Sequence, residues 1–374
     1  TTLASYRSSE PRWDTVLDID ALAAAGVRNW VYHGGQTLPP EDRLALIGLS
    51  DGGKDAAETR EFDADLGQFV ENGFRLSEGK QTATWLDADT LLVARDWGPG
   101  TMTPSGYPFI VKRWRRGTPL EAAEEVFRGR SSDVAARADV LRDPDGTVRA
   151  VVATRLVDFF VSERFLLTAA GPVRLPLPGK ASLNAFVAGQ LVFSLEEAWP
   201  VGGVMFPAGA LVSLDLGQCL ADIAGIAPKL VYAPGPRETI DGVAATRSLL
   251  LVAIYRNVRG SAAVFRFADG AWHAAPLPLP GDASVSLVST SPSDDNAFLD
   301  MAGYLLPNTL YLADLAAGTV EPLKSMPARF DASKAVVEQF DAISQDGTAV
   351  PYSVVRPRDL AFDRRVAGVA DLAL

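Results

Sequence analysis

The chain has 374 residues, 48% of them hydrophobic and 22% charged, which is the balance of a folded globular protein with a full core. Its formal net charge of −11 repels phosphate backbones and argues against nucleic acid as a partner. One cysteine, Cys219, excludes an intrachain disulfide; two histidines, His33 and His273, exclude a three-histidine metal site; and no apolar run is long enough to predict a membrane span.

The predicted elements are short apolar runs punctuated by turn residues. Ile19 to Ala25, Leu120 to Val126 and Gln218 to Ile226 have room for a helical turn or two; everything else reads as strand. The pattern is clearest at Thr82–Leu86, Asp87-Ala88-Asp89, Thr90–Ala94, which predicts strand, tight turn, strand. Similar pairs recur around Ala188-Gly189, Thr246-Arg247-Ser248 and Ser293–Asn296. A second kind of hairpin follows: Phe109–Trp114 with Glu124–Phe127, Val264–Phe267 with Trp272–Leu277, and Leu310–Asp314 with Thr319–Leu323. Leu44–Leu49 and Leu211–Leu216 read as the opening strand of that second hairpin. Two hairpins in tandem make a four-stranded unit. Residues 24–331 divided by seven give about 44 residues per unit, the spacing of propeller blades. The expectation is an all-β fold: a lead-in over 1–23, a seven-bladed β-propeller of four-stranded antiparallel blades over 24–331, and an orphan hairpin with a tail over 332–374. In that hairpin Asp346-Gly347 joins the apolar runs 336–343 and 350–355.

Several motifs suggest chemistry and are weighed against local roles. Gly48-Leu49-Ser50-Asp51-Gly52 fits the G-x-S-x-G nucleophile pattern, but no helix is predicted after Ser50 and no parallel sheet before it, so the expectation is a blade turn. His33 and His273 lack a nucleophile motif beside them. The carboxylate pairs Asp87/Asp89, Glu124/Glu125, Asp143/Asp145, Glu196/Glu197 and Asp294/Asp295 fall mostly in turns, where Asp caps its own backbone. Lys112-Arg113-Trp114-Arg115-Arg116 reads as a charged blade edge. Cys219 reads as a packed thiol. The best candidate for contact with a ligand is the long loop from Asp96 to Tyr107, whose Asp96, Trp97, Met102 and Tyr107 suit a peptide; its other reading is a cover over the blade. No cofactor or metal site is expected.

Three stretches, TTLASYRSSEPRWDTVLDIDALA at 1–23, the run from Phe69 to Phe127, and FDASKAVVEQFDAISQDGTAVPYSVVRPRDL at 330–360, resemble the prolyl oligopeptidase family of serine peptidases. They occur in family order. The resemblance implies a seven-bladed propeller that restricts access to an α/β-hydrolase domain, with the 336–355 hairpin beginning the hydrolase sheet. It implies short peptides as substrates, the hydrolase domain as partner, and a cytoplasmic setting. The nucleophilic Ser, its His and its Asp would lie in that domain, so this chain alone is expected to be inactive. The alternative is a free-standing propeller enzyme or binder with a metal or sugar site in its channel, which predicts carboxylates converging from the first strands of several blades.

Overall fold

The structure, a computed structural model, describes residues 13–360. The first part of the lead-in and the last part of the tail lie outside the described residues. Helix α1 (Ile19–Gly26) starts at Asp18, whose side chain accepts from the Ala21 N–H at 2.9 Å, and stops where Val27 turns left-handed. Its Ile19 and Leu22 pack against the first sheet.

Six antiparallel sheets of four or five strands follow in chain order, over residues 30–79, 82–128, 135–174, 181–232, 238–276 and 283–325. We term these blades I to VI. In blades II, III, V and VI the strands pair in simple sequence order. Blade I adds a fifth strand, Arg75–Gly79, paired with Ala57–Asp63. Blade IV holds an inserted hairpin, Trp199–Val201 with Val204–Phe206, between its second and third strands. Turn chemistry explains the tight connections: at Asp269-Gly270 both residues have positive φ (51° and 76°), the geometry that lets two twisted strands close in two residues.

The chain is all-β with four-stranded blades, as expected, but a seventh such sheet is not found among the described residues. The blades begin about 51 residues apart rather than 44, helped by the long loop of blade II and by the inserted hairpin and helix α2 (Leu216–Ala221) of blade IV. Two strand readings are also corrected. Leu44–Asp51 is the second strand of its blade, not the third. Lys112–Arg116 is no blade edge: strand Ile110–Arg115 lies between Thr90–Ala94 and Glu124–Arg128.

Consecutive blades pack face to face through alternating apolar residues. Leu46, Phe74 and Leu76 of blade I meet Trp85, Leu91 and Trp114 of blade II, with Phe74 edge-on to both tryptophans at 5.8 and 4.9 Å. Leu141, Val152 and Leu166 of blade III meet Leu191, Phe193 and Val212 of blade IV. Truncating a fully buried leucine such as Leu191 costs about 2–5 kcal/mol.

The topology sorts the loops. Short connections carry the end of each blade to the start of the next, and strands alternate in direction. The connections between blades and the turns between second and third strands therefore emerge at one end of the stack, termed here the loop face. The hairpin Ala335–Ile343 with Ala349–Pro357 sits on that face. Asp341 receives two bonds from Arg237 at 2.9 and 2.6 Å, and Gln339 Nε2 donates to the Asn257 carbonyl at 2.6 Å.

Candidate functional site

The loop of residues 95–109 joins the second and third strands of blade II, so it lies on the loop face with the hairpin. Its side chains are used largely to fold it. Asp96 accepts from the Gly98 N–H at 2.9 Å, and Thr101 accepts from the Trp97 N–H at 2.9 Å. Trp97 is half-buried, donates Nε1 to the Ile110 carbonyl at 3.1 Å, and packs into the apolar clusters on both sides of blade II. Lys112 Nζ lies 4.6 Å from its ring centre. Met102 is held in a bridge to Pro108.

Tyr107 differs. Its hydroxyl donates to Asp55 of blade I at 2.7 Å, Lys80 pairs with Asp55 at 2.9 Å, and the Lys80 ammonium lies 4.2 Å from the Tyr107 ring centre. The Tyr107 hydrogen bond, then Lys80, hold the Asp55 carboxyl below its ordinary range. Of the four predicted residues, Asp96, Trp97 and Met102 therefore shape the loop, while Tyr107 belongs to a charged cluster between blades I and II.

Ser50 is fully buried in strand Leu44–Asp51, and its Oγ donates to the Lys54 carbonyl at 2.7 Å. The next element is strand Ala57–Asp63, so no nucleophile elbow forms. His33 is exposed on the first strand of blade I and His273 is exposed on the last strand of blade V. Asp87, Asp145 and Asp294 each accept from the backbone N–H two residues on. Glu124 pairs with Arg113 and Glu125 with Arg128. Burial pushes the Cys219 thiol up to about 11, the state of an unreactive packed sulfur. No cluster of three or more His, Cys, Asp or Glu suited to a metal occurs among the described residues, and no described helix is long and apolar enough to cross a membrane.

Sequence reasoning missed two features of the loop face. The first is apolar exposure: Phe159 and Phe160 of blade III and Val204 and Met205 of the blade IV insertion are all more than half exposed. The second is a bulge. In every blade the register between first and second strands shifts once, and in blade V it does so between Ile240 and Gly242, leaving Asp241 unpaired in the ladder. Asp-Gly within an apolar strand pattern was the available signal.

Comparison with known proteins assigns this architecture. The model of the prolyl oligopeptidase N-terminal β-propeller domain matches residues 2–177 and 210–326. An uncharacterized peptidase, y4nA of Sinorhizobium fredii, is 42% identical over 368 residues, covering 97% of this chain and 51% of the relative. A second, RP174 of Rickettsia prowazekii, is 25% identical over 377 residues, covering 97% and 52%. The chain thus spans about half the length of the curated relatives it matches. Among solved structures, a post-proline cleaving enzyme from Rickettsia typhi superposes with a TM-score of 0.84 at 24% identity, covering 97% of this chain and 54% of that one. Oligopeptidase B from Trypanosoma brucei gives 0.67 at 16% identity, covering 95% and 49%. With the family model matched over most of its length, the chain belongs to the prolyl oligopeptidase family and forms its N-terminal β-propeller domain.

Proposed function

We propose that this chain is the substrate-gating propeller of a prolyl oligopeptidase-like serine endopeptidase that acts on short peptides in the cytoplasm. In this reading residues 24–331 form the gate, residues 332–374 begin an α/β-hydrolase partner domain, and that partner supplies the Ser, His and Asp of peptide hydrolysis. A ring of blades stacked over the active site would exclude folded proteins and admit flexible segments. The chain alone would turn over nothing.

The observation that carries this reading is the hairpin 335–357, which stands outside the six blades and is bonded to the loop face through Asp341 and Gln339. Support also comes from the relatives, which are named peptidases and are about twice as long. Exposed Phe159, Phe160, Val204 and Met205 on that face suit burial against a second domain.

Two experiments test the two halves of the proposal. The chain alone, incubated with a chromogenic Gly-Pro peptide and with a serine-reactive fluorophosphonate, should neither release chromophore nor become labelled; turnover that Ser50→Ala abolishes would refute inactivity. A chimera joining this propeller to the C-terminal half of the Sinorhizobium relative should cleave short peptides and spare a folded protein that contains the same sequence. Equal cleavage of both would refute gating.

A further inference from the structure

We infer that a small organic carboxylate binds between blades III and IV, its anionic head on the guanidinium of Arg164 and its apolar body on Leu141, Leu183 and Phe186. The cavity there has a volume of about 230 Å³, below the roughly 300–1,000 Å³ of drug-sized pockets and suited to a molecule no larger than an amino acid. Strand spacing opens it. The first strands of blades II and III, of IV and V, and of V and VI lie close against one another. Those of III (Ala135–Arg142) and IV (Ala181–Val187) stand further apart, with the cavity between them.

Arg137, Thr154 and Arg164 are paired directly across blade III, so all three side chains leave the same face of the sheet, the one turned to blade IV. Arg164 is only 6% exposed. Its Nη1 donates to the Ala181 carbonyl and, at 3.1 Å, to Ser162 Oγ. Its buried Nε and its Nη2 have no hydrogen bond among the described residues. Those two groups form one edge of the guanidinium, the fork that takes a carboxylate through two parallel bonds. A buried arginine is ordinarily paired. No carboxylate among the described residues lies within ion-pairing distance of this one, since Asp139 stands with Arg137 at 3.9 Å.

The charges call for one anion. Arg137 and Asp139 offset each other, which leaves Arg164 uncompensated. Burial, then the Arg137 charge, push the Arg164 guanidinium down to about 10, so it is still charged at neutral pH. Arg142, in an adjoining cavity that shares Leu141 and Phe186, is bonded to the carbonyls of Gly146, Trp85 and Leu86 and to no carboxylate among the described residues. This stretch of blade III is therefore positive in a chain of net charge −11. Leu183 and Phe186 are only partly buried against the core between the blades, and so offer apolar surface beside the charge. An inorganic anion would use the charge alone; an organic acid uses both.

Calorimetric titration of the full chain, in a buffer free of carboxylate and phosphate, tests the site with 4-methylpentanoate, 4-methylpentanamide, leucine and inorganic phosphate. The acid should bind at least tenfold more tightly than the amide, which has its shape without the charge, and than phosphate, which has no apolar body. Leucine binding as tightly as the acid assigns the site to amino acids; leucine weakened by its ammonium assigns it to simple acids, and both support the inference. Arg164→Gln should reduce binding of the acid at least tenfold. Two half-exposed positions give variants of opposite sign: Asp139→Asn should tighten binding several-fold and Arg137→Gln should weaken it several-fold. Equal binding of acid and amide, no heat with the acid at millimolar concentration, or phosphate binding as tightly as the acid would overturn the inference. The comparison of acid with amide needs no variant, so it stands even if a substitution disturbs folding. Binding here requires neither turnover nor a second domain, so a chimera that fails to gate leaves this result untouched.

Discussion

Arg116 of blade II reaches across to Glu61 of blade I, donating through Nη1 at 2.8 Å and Nη2 at 3.0 Å to a carboxylate that is 1% exposed. The same carboxylate accepts from the Phe74 N–H at 2.7 Å, and the Arg116 guanidinium lies over the Phe74 ring. The pair locks two blades together. Arg116→Ala would strand a buried charge, so it should lower unfolding stability by about 3–5 kcal/mol in urea denaturation. Replacing both partners, as in Glu61→Gln with Arg116→Met, should recover much of that loss, because no ion is then left alone.

The long loop gives a prediction that separates a scaffold residue from a contact residue. Trp97 spans two apolar clusters and bonds the Ile110 carbonyl, so Trp97→Ala should destabilise the chain by about 3 kcal/mol. Tyr107→Phe removes only the bond to Asp55 and should cost about 1 kcal/mol or less. Thermal unfolding of the two variants checks the ordering; a Tyr107 effect as large as that of Trp97 would make the cluster part of the scaffold.

Acid should loosen the region where blade V meets the hairpin. The Tyr232 hydroxyl, the Gly235 N–H and Arg256 hold the Glu238 carboxyl down to about 2, from an ordinary 4.5. The Ser344 hydroxyl and the Thr348 N–H hold Asp346 down to about 2 from 3.8. Both groups bind protons more readily once unfolded. Their stabilisation is therefore complete above about pH 4.5 and drains away as pH falls towards 2. Glu238→Gln should unfold at lower temperature than wild type at pH 6, and the gap should close by pH 2. A gap that persists unchanged to pH 2 would contradict this account.

The blades were legible because two local signals agree: alternating apolar runs such as Thr90–Ala94, and turn pairs such as Asp269-Gly270 whose conformations few other residues adopt. Blade number was less legible, since dividing a length by an assumed count is blind to the hairpin at 199–206 and the loop at 95–109. The basic run 112–116 misled for a related reason. Alternation places Arg116 on the Trp114 face, but only the neighbouring blade reveals that Glu61 waits there. Asp241 was invisible in the same way, because a bulge is a relation between two strands and only its glycine shows in one of them.

The ion pair between Arg237 and Asp341 links the hairpin to the blades, bidentate across 104 residues of sequence. Arg237 keeps the Asp341 carboxyl below its ordinary range, so the link is charged at neutral pH. Both side chains are partly exposed, which makes the contribution modest and salt-sensitive. Arg237→Ala should therefore leave the unfolding midpoint of the blades nearly unchanged while raising amide hydrogen exchange across residues 335–357 several-fold. Adding 1 M salt to the wild-type chain should move exchange in the same direction, and should move it less in the variant, which has no pair left to screen. Uniform exchange rates in hairpin and blades, before and after the substitution, would mean that the hairpin is fixed by the Gln339–Asn257 bond and apolar contacts alone.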